Sequence, residues 1–132
     1  MSQVTTVALV DDDRMLQQGL GCWLGGVARL RLVATVSTVA ELLVPGGDRP
    51  DVTLLDLRLR DGSEPVDNIG RLRAYGMRVL IISNVPDRQQ IVEAVAAGAD
   101  GYVTKDNDLT ALRDRRRHRS YRIPTAWSRL SG

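Results

Sequence analysis

Residues 52–63 read VTLLDLRLRDGS. A short run from Val52 to Leu55 ends on a carboxylate, Asp56, and the chain breaks shortly afterwards at Asp61, Gly62 and Ser63. So brief a run, with little alternation, suits a strand buried on both faces, as in parallel sheets covered by helices. Beyond the turn residues, Val66, Ile69 and Leu72 recur at helical spacing. The stretch therefore predicts a buried strand, a polar loop and a helix.

Moving outward, three more apolar runs are bounded by turn residues or charges: Val4 to Val10, Val79 to Ile82 and Gly101 to Val103. A weaker one spans Arg31 to Val36. Between them lie helical patterns. Met15, Leu16, Leu20, Trp23 and Leu24 recur at threes and fours, and Val39, Leu42 and Leu43 follow Thr38 and Glu41, which stand at capping-box spacing. Ile91, Val92, Val95 and Ala96 predict a further helix, opened by Pro86 and Asp87 and ended near Gly98. Asn68 and Gly70 are poor helix formers and predict a loose third helix. Strand and helix alternate, so the expected fold is α/β, a doubly wound five-stranded parallel sheet.

In such a sheet ligands gather at the carboxyl ends of the strands, where the strand order reverses. The polar residues that end the runs are Asp11, Asp12 and Asp13, then Asp56, then Ser83, then Thr104, Lys105 and Asp106. Asp13 is expected to cap the first helix. The other carboxylates repel one another when brought together, and a divalent cation relieves that repulsion. Oxygen ligands in small number favour magnesium. One carboxylate can then act as nucleophile toward a phosphoryl group whose charge a lysine and a hydroxyl help to neutralise. Lys105 is the single lysine beside 17 arginines, which makes its place after a strand harder to attribute to chance.

The chain of 132 residues with 43% hydrophobic content suffices for one core. No run approaches the roughly 18 apolar residues of a membrane span, and the amino terminus lacks the marks of a signal peptide, so a cytoplasmic protein is expected. The lone Cys22 reads as a small buried residue of the first helix. From Arg113 onward seven arginines face one acid, so a body of net charge −4 carries a tail of +6. That tail is read first as a solvated surface and second as an attractor of acidic partners.

The segments VALVDDD, PDVTLLDLRLRDGS, VLIISN and AAGADGYVTKD together resemble, in order and separation, the signature regions of response-regulator receiver domains. Within that family the chain is most similar to receivers that precede LuxR-type helix-turn-helix domains. The resemblance implies a flavodoxin-like fold with a receiver core over residues 1–112. It implies that Asp11 and Asp12 form an acidic pocket for Mg2+, that Asp56 accepts the phosphoryl group and ligates the metal, and that the backbone carbonyl of Arg58 completes the protein ligands. Ser83 would be the switch hydroxyl, Lys105 the partner of the phosphate and Tyr102 the rotating aromatic. The implied partners are a sensor histidine kinase and a DNA-binding output domain that this sequence does not include.

Some residues depart from the family pattern. Arg60 stands where proline is usual, which removes a restraint and adds a charge near the site, and Asn84 replaces a small residue. A fifth helix starting near Asn107 would place Leu109 and Leu112 inward but then Arg115, Arg116 and Arg119, so residues 113–132 form an atypical, Arg-rich end. Ile123, Ala126, Trp127 and Leu130, after Pro124, make an apolar stripe that predicts a short helix docked on its own sheet or on a second chain in a homodimer. Two other functions stay open: an interaction module that works without phosphorylation, and a haloacid-dehalogenase-like phosphatase using Asp11-Asp12-Asp13 as an Asp-x-Asp motif.

Overall fold

The structure, a computed structural model, describes residues 4–24, 29–47, 49–83 and 88–104. Along them strands and helices alternate: β1 (Thr5–Val10), α1 (Arg14–Leu24), β2 (Leu30–Val36), α2 (Val39–Leu42), β3 (Val52–Asp56), α3 (Pro65–Ala74), β4 (Arg78–Ser83), α4 (Arg88–Ala96) and β5 (Gly101–Thr104). The strands form one sheet in the order β2-β1-β3-β4-β5. Every neighbouring pair is parallel. This is the five-stranded, doubly wound sheet expected from the sequence. The order reverses between β1 and β3, since the chain leaves β1 for β2 on one side and returns to β3 on the other.

Central strands β1, β3 and β4 are buried almost throughout, as their unalternating composition requires. On one face Ala8, Val10, Leu55, Val79 and Ile81 pack with Val39 and Leu42 of α2, Ile69 and Leu72 of α3 and Ala94 of α4. Residues of opposite parity, Val7, Leu9, Leu54, Leu80 and Ile82, are buried on the other face, as is Leu20 of α1. Burying a Leu or Ile side chain stabilises by about 1.5–3 kcal/mol, so these two layers hold the sheet.

Helix ends follow local chemistry. Thr38 caps α2 by accepting from the Glu41 amide (3.2 Å), while the Glu41 carboxylate accepts from the Ser37 amide (3.3 Å). At the far end of α2 the Arg49 guanidinium donates to the carbonyls of Leu42 and Val44 and lies over the Tyr75 ring. Helices α3 and α4 end alike. Gly76 and Gly98 take positive φ, and the amides of Met77 and Ala99 return to the carbonyls of Leu72 and Ala94, the Schellman arrangement.

Four helix readings need correction or qualification. Met15 is exposed rather than inward, because five residues at about 100° each set it roughly 140° around the helix from the buried Leu20; Leu16 is half-buried. Cys22 is exposed rather than buried, lying two residues from Leu20 and hence toward the opposite side of the helix. In α4, Val92, Val95 and Ala96 face outward, and the buried line runs instead through half-buried Gln90 and Ile91 to Ala94. Val66 of α3 is exposed at the second helical position, while Asn68 is buried with Ile69 and Leu72 in a continuous helix. The side chains of Trp23 and Leu24, the opening residues Pro86 and Asp87, Asn84, and the whole of 105–132 lie outside the described residues, and with them Lys105, the fifth helix and the apolar stripe of the tail.

Candidate functional site

Strand register brings the acidic residues to one level. Val10 pairs with Leu55, so the residues that follow, Asp11 and Asp56, emerge side by side from the two strands at which the order reverses. Asp56 in turn pairs with Ile82, which sets Ser83 one step beyond it on β4, and Ser83 pairs with Thr104 of β5. Carboxylate oxygens of Asp11, Asp12 and Asp56 all lie within 4.8 Å of one another. Asp11 is fully buried, Asp56 nearly so, and Asp12 partly exposed. Hard oxygens gathered this closely suit a small divalent cation with retained water.

Backbone geometry holds each carboxylate in place. Asp11 Oδ1 accepts from the Asp13 amide (2.8 Å), and Gln17 Nε2 donates to the Asp11 carbonyl (2.6 Å), fixing the turn from β1 into α1. Asp13 caps α1, accepting from the amides of Met15 (3.0 Å) and Leu16 (3.2 Å). It is thereby committed to the helix, as expected, and the acidic group is built from Asp11 and Asp12 with Asp56. That arrangement disfavours the Asp-x-Asp phosphatase reading, which needs Asp13 and leaves Asp56 idle. On β3, Asp56 Oδ1 accepts from the Arg58 amide (3.2 Å), so the chain turns around the carboxylate.

The loop after β3 is tied down at its far end too. Asp61 accepts from the amide and hydroxyl of Ser63, and the buried Asn68 donates from Nδ2 to Ser63 Oγ (2.9 Å). The two bonds from Ser63 hold the Asp61 carboxyl below the 3.8 of an unperturbed aspartate. Gly62 between them has φ +80°, a conformation that L side chains rarely adopt. Between these anchors sits Arg60. Its amide donates to Asp12 Oδ2 (3.3 Å), and its Nε stands 3.9 Å from the same oxygen.

A family model described as "Response regulator receiver domain" matches residues 7–117. The chain belongs to that family. Among curated relatives it is 38% identical to the DNA-binding transcriptional activator DevR/DosR of Mycobacterium tuberculosis, over 76% of this chain and 47% of the relative. To the nitrate/nitrite response regulator NarL of Escherichia coli it is 30% identical, over 76% of this chain and 48% of the relative. The receiver thus spans about half the length of these relatives. Among solved structures, the signal receiver domain of the putative response regulator NarL from Mycobacterium tuberculosis superposes with a TM-score of 0.71 at 27% identity, covering 89% of this chain and 99% of the other. The kinship with receivers of NarL-type, LuxR-family regulators and the flavodoxin-like fold are therefore as the sequence suggested.

Of the residues singled out from the sequence, the structure brings together Asp11, Asp12 and Asp56, with Ser83 on the neighbouring strand. Tyr102 is exposed on β5, and Lys105 follows the last described residue of that strand. The sequence reading missed Gln17, and it took Asn68 only as a poor helix former, not as an anchor of the loop. A glutamine six residues after Asp11 carries no recognisable signal, whereas the polar Asn68 on the inward side of α3 was visible as an anomaly.

Proposed function

We propose that this receiver accepts a phosphoryl group on Asp56 and thereby changes the surface it offers to partners. The observation that carries this is the meeting of Asp11, Asp12 and Asp56 where the strand order reverses. Asp11, Asp12, Asp56 and the backbone carbonyl of Arg58 would hold Mg2+. Such an ion, when bound, neutralises the carboxylates and the phosphoryl oxygens. An Asp56 oxygen forms the new P–O bond while the bond from phosphorus to the donor, the imidazole of a sensor histidine kinase or a small acyl phosphate, breaks with its electron pair leaving on the donor. Ser83, at the end of the adjoining strand, donates its hydroxyl to the transferred group, and Lys105 supplies the paired positive charge.

The output follows from the same strand ends. As Ser83 moves toward the phosphoryl group, Tyr102 on the paired strand β5 gives up its exposed position, and the surface it shares with α4 is remodelled. We read residues 1–112 as the receiver core and residues 113–132 as its atypical tail. One of the longer relatives is a DNA-binding transcriptional activator, so we assign this receiver to a cytoplasmic regulator whose output domain binds DNA. No helix of the described residues is long and apolar enough to cross a membrane.

Intact mass after incubation with acetyl phosphate and MgCl2 tests the proposal. A gain of roughly 80 Da is expected, absent with EDTA and absent in Asp56→Asn. No gain under any condition would leave the interaction module that works without phosphorylation; sustained turnover of a generic phosphate ester would point to a phosphatase.

A further inference from the structure

We propose that Arg60 is a tethered counter-ion of the acidic pocket, one that competes with the divalent cation for Asp12; this rests on the metal-site reading above. A single oxygen, Asp12 Oδ2, receives both the Arg60 amide at 3.3 Å and the Arg60 Nε at 3.9 Å. The residue is held there from both sides. Two positions earlier the Arg58 amide is bound by Asp56, and one position later Asp61 is fixed through Ser63 to buried Asn68. Only the guanidinium is loose, since the Arg60 side chain is 93% exposed while Asp12 is 29% exposed.

That combination defines a displaceable charge. A buried guanidinium would cost much to remove from its carboxylate, whereas an exposed one returns to water with little loss. Three carboxylates within 4.8 Å repel one another, and a nearby positive charge eases that repulsion until a cation takes its place. Binding a doubly charged ion at Asp12 then costs the Arg60 contact and sets two positive charges near each other. Proline at position 60 could supply neither effect, having no amide N–H and no charge. Arg60 therefore lowers the pocket's affinity for Mg2+ and makes occupancy sensitive to ionic strength.

Calorimetric titration of the full chain with MgCl2 tests this in wild type, Arg60→Gln, Arg60→Lys and Arg60→Pro. Gln keeps the amide and loses the charge, Lys keeps both, and Pro loses both. At low salt Arg60→Gln and Arg60→Pro should bind Mg2+ about three- to tenfold more tightly, with Arg60→Lys close to wild type, and the differences should shrink at high NaCl. Equal affinity in wild type and Arg60→Gln would overturn the inference while leaving the metal site intact. Tighter binding confined to Arg60→Pro would overturn it too, by assigning the effect to the backbone. Absence of Mg2+ binding in every variant would overturn the site reading and this inference with it.

Discussion

Replacing Asp56 with Asn should stabilise the fold when no divalent cation is present. Asp56 and its acidic neighbours Asp11 and Asp12 have oxygens within 4.8 Å, and both Asp11 and Asp56 are buried. At 4.8 Å two unit charges repel by about 3.5 kcal/mol at an effective dielectric of 20, and by about 0.9 kcal/mol in water. Asp12 is partly exposed and faces Arg60, which argues for the lower end, and the unfolded chain keeps some repulsion of its own. The substitution keeps Oδ1 as acceptor for the Arg58 amide, so that hydrogen bond is retained. A net gain of about 1–3 kcal/mol follows, which at roughly 3–5 °C per kcal/mol for a domain of this size is a clear rise in Tm. Circular dichroism melts in EDTA and in saturating MgCl2 read it directly. The gain should appear in EDTA and shrink or vanish in MgCl2, where the wild-type carboxylate contributes to holding the ion. A variant that melts at or below wild type in EDTA would refute the claim that the three carboxylates repel across a shared pocket.

Asn68→Ala should lower stability by about 1–2 kcal/mol in a urea titration, because it removes a buried donor and the bond that holds Ser63. An unchanged midpoint would show that the loop after β3 is not anchored there. Ser63→Ala should raise the Asp61 carboxyl toward 3.8, followed by carboxyl NMR titration. Since the folded value is the depressed one, the contribution of Asp61 to stability is present above 3.8 and is lost as pH falls through the lower folded value; Ser63→Ala, which removes the hydroxyl bond and keeps the backbone one, should reduce that acid-side loss. An Asp61 titration identical in both proteins would contradict the assigned cause.

The strands were legible because buried parallel strands carry a signal that needs no partner: short, unalternating apolar runs. All five lie within a residue or two of the positions read from the sequence, including the weak Arg31 to Val36 run at the edge. The acidic pocket was legible for a topological reason, since polar residues at the ends of parallel strands necessarily share one edge of the sheet. Helix faces were less legible. In α4 the sequence offers Val92 and Val95 as well as Ala94, and only packing decides that the small alanine goes inward. In α1 the apolar residues spread around the helix, and only packing decides that Leu20 goes inward and Met15 outward. The contacts of Arg60 and Asn68 depend on loop closure between distant anchors, which no periodicity encodes.

The central claim is that Asp56 is the phosphoacceptor, and mapping the modified residue tests it most directly. After treatment with acetyl phosphate and MgCl2, an acyl phosphate on an aspartate is reduced by borohydride to homoserine, and peptide sequencing by mass spectrometry locates it. The account predicts homoserine at position 56 alone, with Asp11, Asp12 and Asp61 recovered unchanged. Homoserine at any of those three, with position 56 intact, would contradict it.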